Sequence, residues 1–411
     1  MRVLLIEDNP ADARLMKETL AGARGAAFEL EWAKDLAAGL ARLAAGGIEL
    51  VLVDLSLPDS RGLGTFARVQ ERVPQLPIIV LTGLDDEETA VQAVQQGAQD
   101  YLAKGTVTGP LLIRAMRYAL ERKRAEEQLA RYAQQLRATN AEMQEELIMA
   151  REIQQALVPQ QYPALPRGAG PAEQAVRFHH YYRPTTALGG DFFHVAALAD
   201  TEAGVFISDV MGHGVRAALV TAILRGLVEE LRPAAREPGR FLGEINRELQ
   251  AVLSHAGTPM FTSAFYLVAD VVTGEVRYAS AGHPTPIWVR REAGVVEPLP
   301  MVAGSIGPAL GLFEESAYPA SQGRVAAGDL LLLFTDGVYE VTDAGGEEFG
   351  SERLLAAVRR RLRLPAPRLF DELLGEALQF SATGEFADDV CLVGLEVLRL
   401  AAGSRGQSEQ A

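Results

Sequence analysis

The chain has 411 residues, 48% hydrophobic and 23% charged, the composition of a soluble globular protein with more core than one ordinary domain needs. A formal net charge of −15 speaks against a nucleic-acid-binding surface, and no apolar run approaches the length of a membrane-spanning helix. The amino terminus turns acidic at Glu7-Asp8, too early for a secretory leader, and the single Cys391 forms no internal disulfide and reads as a buried thiol in a cytoplasmic protein.

Residues 1 to about 110 alternate strand and helix signals. Short apolar runs at Val3 to Ile6, Leu50 to Val53, Ile78 to Leu81 and Tyr101-Leu102, with a weaker one at Phe28 to Trp32, are separated by helical stretches. This pattern predicts a doubly wound α/β domain with a five-stranded parallel sheet. Functional groups in such sheets gather at the carboxyl ends of strands, which makes neighbours of Glu7, Asp8, Asp54, Thr82 and Lys104. Glu7, Asp8 and Asp54 are then candidates to hold Mg²⁺, with Asp54 as the nucleophile that takes a phosphoryl group. Lys104 would help neutralise the charge, and Thr82 would bond the new phosphoryl oxygens. Singly, each such residue is a cap or solvated surface; in this order, at strand ends, they make a phosphorylation device.

From Leu111 to Val158 the chain holds neither glycine nor proline, enough for one helix about 70 Å long. A seven-residue ladder runs through Leu129, Leu136, Met143, Ala150 and Leu157. A second, offset by four, runs through Leu111, Tyr118, Ala125, Tyr132, Thr139, Glu146 and Ile153. These are the a and d positions of a coiled coil, weakened at Thr139 and Glu146, and residues 121–158 are expected to join two copies as a parallel homodimer. A long helix packed against its own chain is the alternative. Pro159 to Pro171, rich in proline and glycine, marks the exit.

Beyond it, residues 159–400 mix strands at Thr262 to Ala269, Glu275 to Ala279, Leu330 to Phe334 and Val390 to Val397 with helices at Val215 to Leu231, Gly239 to Leu253, Ser351 to Arg361 and Pro367 to Phe380. The order is not βαβ repetition, so an α+β domain with largely antiparallel sheets is predicted. The polar tail, residues 401–411, is expected to be disordered.

Four acidic stations lie in this last part: Gly189-Gly190-Asp191, Ser208-Asp209-Val210-Met211-Gly212-His213-Gly214, Phe334-Thr335-Asp336-Gly337 and Asp388-Asp389. Glycines beside the first three let the backbone turn sharply and permit close approach. Aspartates converging on one pocket cannot all stay ionised without cations, so the set reads as a cage for hard divalent metals. Two Mg²⁺ or Mn²⁺ ions there would activate water against phosphorus and neutralise the phosphoryl group. Asp191, Asp209, Asp336 and Asp388 would supply the cage, with Val210 offering only its carbonyl. His213 and His283 invite a role in proton transfer, but ordering of glycine-bounded loops is the simpler reading; His179, His180 and His255 read as ordinary surface or interface residues. No serine or cysteine has the surroundings of a covalent nucleophile.

Residues 1–120 resemble a two-component response-regulator receiver domain. The motifs that carry this are Val53-Asp54-Leu55-Ser56-Leu57-Pro58-Asp59, Ile79-Val80-Leu81-Thr82-Gly83 and Asp100-Tyr101-Leu102-Ala103-Lys104-Gly105. The resemblance implies phosphorylation of Asp54 by a histidine kinase, with Thr82 and Tyr101 as the switch pair. Residues from about 145 to 397 resemble the SpoIIE/RsbU-type branch of the metal-dependent Ser/Thr protein phosphatases. Its motifs here are Ile153-Gln154-Gln155-Ala156-Leu157-Val158-Pro159, Leu188-Gly189-Gly190-Asp191-Phe192-Phe193, Asp209 to Gly214, Ser280-Ala281-Gly282-His283-Pro284, Phe334 to Glu340 and Asp388-Asp389-Val390.

This second resemblance implies a β-sandwich flanked by helix pairs, with a dinuclear centre at one end. Its ligands would be Asp191, Asp209 with the Val210 carbonyl, Asp336 and Asp388, with Asp389 as the alternative to Asp388. His194 stands where many relatives carry an acid. The implied substrate is a serine or threonine phosphate on an anti-sigma-factor antagonist. Together the parts suggest dephosphorylation under signal control, with the long helix carrying the receiver's state to Ile153 to Pro159. A non-catalytic scaffold that binds a phosphoprotein or an anti-sigma factor is the competing reading, and four intact carboxylates weigh against it. A DNA-binding response regulator would need a helix-turn-helix signal and positive charge, and the chain shows neither.

Overall fold

The structure is a computed structural model that describes residues 1–21, 28–83, 87–255 and 259–401. The tail from residue 402 onward, expected to be disordered, lies outside the described residues. Two compact units divide the chain, Met1–Glu142 and Met143–Ala411.

The first unit holds strands β1 (Arg2–Ile6), β2 (Glu29–Ala33), β3 (Leu50–Asp54), a short hairpin β4 (Ser56–Leu57) and β5 (Ser60–Arg61), then β6 (Ile78–Thr82) and β7 (Asp100–Ala103). Helices α1 (Pro10–Ala21), α2 (Leu36–Ala44), α3 (Leu63–Arg72) and α4 (Glu87–Gln95) alternate with them. The main sheet has five parallel strands in the order β2-β1-β3-β6-β7, the expected doubly wound arrangement. In β3, Val51 and Val53 enter one core while Leu50 and Leu52 enter the other, so the strand reads as a continuous apolar run. The order reverses between β1 and β3, and the carboxyl ends there carry Glu7, Asp8 and Asp54.

Helix α5 (Gly109–Leu157) occupies nearly the whole span without glycine or proline, with Pro110 tolerated in its first turn. From Glu121 to Glu146 every side chain except Lys123 is exposed. Leu129, Leu136 and Met143 stand 68%, 62% and 58% exposed, so these rungs are not packed against any of the described residues, as the alternative reading required.

The second unit is a sandwich between helix pairs. One sheet runs β15 (Ile306–Gly307), β12 (Glu275–Ala281), β11 (Thr262–Asp270), β10 (Glu202–Val210), β9 (Asp191–Ala197), with β16 (Ser321–Arg324) also on β12. The other runs β14 (Val295–Pro298), β13 (Ile287–Arg290), β17 (Leu330–Phe334), β18 (Val390–Val397), β8 (Val176–Arg183). Residue parity builds the layers. On β17, Leu331 and Leu333 face the inter-sheet core, while Leu330, Leu332 and Phe334 face helices α8 (Gly350–Arg360) and α9 (Ala366–Phe380). On β10, Val205 and Ile207 face inward and Phe206 and Val210 pack toward α6 (Val215–Glu230) and α7 (Pro238–Leu253). Cys391 is buried in the inter-sheet core, where its thiol is inert.

His179, expected at the surface or at an interface, is only 16% exposed. Its Nε2 lies 3.3 Å from Glu396 Oε2, and Arg291 Nη1 donates to Glu396 Oε1 at 2.6 Å. Arg291 also donates to the carbonyls of Gly328, Leu362 and Leu364, tying the α8–α9 connection to the sheet. His180 is exposed, as expected, with its ring 5.1 Å from that of Phe193. Both histidines lie on β8, paired with β18 at Gly394 and Val393.

Because Arg291 and Glu396 are only 17% and 13% exposed, Arg291→Met leaves a charge without its partner and lowers stability by about 3 kcal/mol. Bonds from His179 and Arg291 hold the Glu396 carboxyl at about 2. A depressed carboxyl stabilises the fold above its ordinary value and ceases to do so as pH falls through the depressed one. The gap between wild type and Arg291→Met in urea unfolding is therefore widest at pH 7 and closes as pH falls toward 2.

Candidate functional site

At the carboxyl ends of the parallel sheet, Glu7 follows β1, Asp54 ends β3 and Lys104 follows β7. Glu7 and Asp54 are buried and Asp8 is exposed, yet a carboxylate oxygen from each lies within 4.8 Å of the others. Lys104 Nζ is 2.6 Å from Glu7 Oε2 and 2.7 Å from Asp54 Oδ2. It is also 3.5 Å from Asp12 Oδ2, a fourth carboxylate that no motif pointed to. Burial raises the Glu7 carboxyl, partly offset by the bond to Lys104. Burial also works against the Lys104 ammonium, but Asp54 and Glu7 outweigh it and hold it protonated above its ordinary value. One ammonium against this many carboxylates leaves negative charge on an all-oxygen donor set, which fits a hard divalent cation. Thr82 ends β6 with its hydroxyl donating to the Gly83 carbonyl at 2.7 Å. Tyr101 is half-buried on β7 opposite Val80, on the sheet face that also carries Thr82.

The carboxylates of the second unit gather at one end of the sandwich within electrostatic reach of one another, although no three of them bring oxygens within 4.8 Å as Glu7, Asp8 and Asp54 do. Asp191 opens β9 and lies in register with Asp209 on β10, both on the inter-sheet side by parity with Phe193 and Ile207. Thr335, one residue past β17, donates its hydroxyl to Asp191 Oδ2 at 2.7 Å and accepts the Cys391 amide at 2.9 Å. Asp336 begins a short 3-10 turn, and Asp388 and Asp389 precede β18.

Burial, then the charges of Asp209, Asp389 and Asp336, push the Asp191 carboxyl well above the carboxylate range. Burial, then Asp336, Asp388 and Asp389, push Asp209 to about 7. Burial and Asp388 raise Asp336. Asp191 Oδ1 is buried without a hydrogen-bond partner among the described residues. Mutually repelling carboxylates and an orphaned carboxylate oxygen fit hard divalent cations.

Asp388 and Asp389 are distinguished by their bonds. Asp389 Oδ1 accepts from Thr185 N at 2.7 Å and Thr185 Oγ1 at 2.9 Å, and its Oδ2 accepts from Gly190 N at 2.5 Å. Its carboxylate is thus committed to the loop before β9, whereas Asp388 is half-buried and accepts only the Asp389 amide among the described residues. Glycine is required beside them. A Cβ on Gly190 would lie 2.7 Å from the Val210 carbonyl oxygen and 2.9 Å from that of Gly212. A Cβ on Gly337 would lie 2.0 Å from the Asp389 carbonyl oxygen.

Gln154, near the end of α5, is buried against this loop, a role its motif did not reveal. Its Nε2 donates to the Gly189 carbonyl at 2.7 Å and to Thr221 Oγ1 at 3.3 Å, while its Oε1 accepts the Gly189 amide at 3.0 Å. Both backbone groups of the residue two before Asp191 are therefore held by one side chain. His194 has the opposite parity from Asp191 and faces the α6 layer, with Nε2 3.8 Å from Glu229. His283 is buried with Nδ1 2.8 Å from Ser263 Oγ, and Ser263 is the register partner of Asp209. His213 is exposed.

Residues 3–117 match the response regulator receiver domain family, and residues 199–398 match the family described as Stage II sporulation protein E (SpoIIE). Phosphoserine phosphatase RsbP of Bacillus subtilis (strain 168) is 29% identical over 168 residues, 41% of this chain and 40% of RsbP. Phosphoserine phosphatase RsbU of the same organism is 26% identical over 214 residues, 52% of this chain and 59% of RsbU. The chain thus spans less than two thirds of the length of either relative. Among solved structures, the SiaA-PP2C domain of Pseudomonas aeruginosa superposes with a TM-score of 0.52 at 22% identity, covering 63% of this chain and 98% of that domain, which shows the sandwich fold.

Proposed function

We propose, on the premise that residues 3–117 belong to the receiver family and residues 199–398 to the SpoIIE family, that this protein is a metal-dependent serine/threonine phosphatase under receiver control. The observation that carries this reading is the convergence of Asp191, Asp209, Asp336 and Asp388 at one end of the sandwich, each of the first three raised by burial and negative neighbours. These four and the Val210 carbonyl would hold two Mg²⁺ or Mn²⁺ ions, and Asp389 would lock the loop instead of ligating. Such ions supply charge neutralisation and an activated water at phosphorus. Thr335 keeps Asp191 oriented through its hydroxyl, and Gly190 keeps the Val210 carbonyl accessible.

In the receiver, Asp54 would accept the phosphoryl group from a histidine kinase, with Glu7 and Asp8 holding Mg²⁺, Lys104 pairing the charge, and Thr82 and Tyr101 responding. The unpartnered ladder on α5 supports a homodimer through that helix. Likeness to RsbP and RsbU supports a phosphoserine protein as substrate, and the family resemblance points to an anti-sigma-factor antagonist. No described helix is long and apolar enough to cross a membrane, in keeping with action in the cytoplasm.

The reading is tested by p-nitrophenyl phosphate hydrolysis with Mn²⁺ on the full chain. Turnover is expected, and its absence at every metal concentration favours the scaffold. Receiver control predicts that beryllofluoride with Mg²⁺ changes the rate severalfold in wild type and not in Asp54→Ala. Gln154→Ala frees both backbone groups of Gly189, so the basal rate falls about tenfold and the beryllofluoride response disappears. A wild-type response in Gln154→Ala would remove α5 from the coupling.

A further inference from the structure

Next to the carboxylate end of the sandwich lies a groove of about 390 Å³ lined by Pro284, Ile287, Pro298, Phe334, Tyr339 and Leu355. Phe334 ends β17 one residue before Thr335, which bonds Asp191. Tyr339 packs edge-on against Phe334, with ring centroids 6.0 Å apart, and its amide donates to the Asp336 carbonyl at 2.8 Å. The same tyrosine hydroxyl, raised by burial, also feels the charges of Asp336, Glu340, Glu348 and Asp209. The groove and the carboxylate site therefore share a wall.

The rim is acidic. Between Asp336 and Glu352 the chain carries Glu340, Asp343, Glu347 and Glu348 and no lysine or arginine. Asp343 is occupied by the amides of Gly345 and Glu347, and Glu347 pairs with Arg353. Glu340 and Glu352 are exposed and take no ion-pair partner among the described residues. Glu352 and Leu355 lie three apart on α8, so the acid borders the apolar floor. Arg359, one turn further, donates to the Val296 carbonyl.

A small phosphate ester has no use for such a surface. A protein substrate does, because an extended chain advances about 3.4 Å per residue and its flanks reach beyond the reacting phosphate. We propose that this groove receives the segment flanking the phosphorylated residue of a protein substrate, with an apolar side chain against Phe334 and Leu355 and a lysine or arginine facing Glu340 and Glu352. The occupant rests on the phosphatase reading above; the complementarity of the groove does not.

The test uses the full Mn²⁺-loaded chain and two labelled, unphosphorylated serine peptides, identical except that one carries leucine and arginine beside the serine and the other glycine and glutamate. Fluorescence anisotropy is expected to give at least tenfold tighter binding of the leucine-arginine peptide. Added salt should shrink the preference, and Glu352→Lys should abolish it. Equal affinities, or a preference untouched by Glu352→Lys, overturn the proposal. Hydrolysis of p-nitrophenyl phosphate by the same sample judges the phosphatase reading separately. Preferential binding without hydrolysis would leave the groove standing as a docking surface and sink the enzyme.

Discussion

Asp209→Asn is expected to abolish Mn²⁺-dependent hydrolysis of p-nitrophenyl phosphate, by at least about a thousandfold, while the metal-free protein becomes harder to unfold. Asp209 sits between Asp191 and Ser263 across the sheet, mostly buried, with Asp336 and Asp388 close enough to help push its carboxyl to about 7. Without cations, that charge costs the fold a few kcal/mol at neutral pH, less what residual solvent screens. The neutral amide keeps the shape and removes the cost.

The sign is distinctive. A carboxyl raised in the folded state loses stability as pH rises from its ordinary value through the raised one. Metal-free wild type should therefore melt at progressively lower temperature between pH 5 and pH 8, and Asp209→Asn should be flatter. Mn²⁺ should raise the wild-type melting temperature and barely move that of the variant. Calorimetry in chelator and in Mn²⁺, beside the rate assay, checks all three. Activity within tenfold of wild type would remove Asp209 from the metal site.

Gly337→Ala is the second large effect, and it acts through the backbone. The added methyl would lie 2.0 Å from the Asp389 carbonyl oxygen and 3.2 Å from the Asp388 carbonyl carbon, so the turn carrying Asp336 must back away from the strand entry carrying Asp388. Activity should fall at least about a hundredfold, the Mn²⁺ concentration for half-activation should rise about tenfold, and stability should drop by about 2–4 kcal/mol. Gly375→Ala is the control. That glycine lies in α9 with nothing within 4 Å of the added atom, and alanine there should stabilise by about 0.5–1 kcal/mol. A Gly337→Ala protein with wild-type Mn²⁺ dependence would show that Asp336 and Asp388 do not act on the same ions.

Much of this architecture was legible in the residues because its central strands are covered on both faces. Leu330–Phe334 and, Glu396 apart, Val390–Val397 are apolar on both parities and stand in the structure where the sequence places them. The absence of glycine and proline likewise defined α5. What escaped was at edges and at paired polar positions. Strand β8, Val176–Arg183, ends one sheet and alternates buried residues with histidine, tyrosine and arginine, a mixed pattern that resembles a loop. Strand β9 begins at Asp191 immediately after two glycines, so the turn signal obscured the strand. Strand β10 carries Asp209 with a partner on either side, at a position where the residues alone mark no strand.

Single polar side chains were the least readable. Gln154 belongs to a helix full of glutamines, and only its burial against Gly189 separates it from Gln155. Asp388 and Asp389 are chemically identical neighbours, and the amides that Asp389 accepts come from residues some two hundred positions away. Local pattern carries no record of such distant pairing.

If the receiver acts through α5 as proposed, the grip of Gln154 on one glycine would set a ceiling on how far it can adjust turnover. Its bonds to the amide and carbonyl of Gly189 are worth about 1 kcal/mol each, more if their loss strands a buried group. A signal that does no more than make or break that grip would have roughly 2–3 kcal/mol to work with, a dynamic range of about thirty- to a hundred-and-fiftyfold. Such an output behaves as a dimmer and not as an on–off gate, and silencing it completely would require a second layer of restraint.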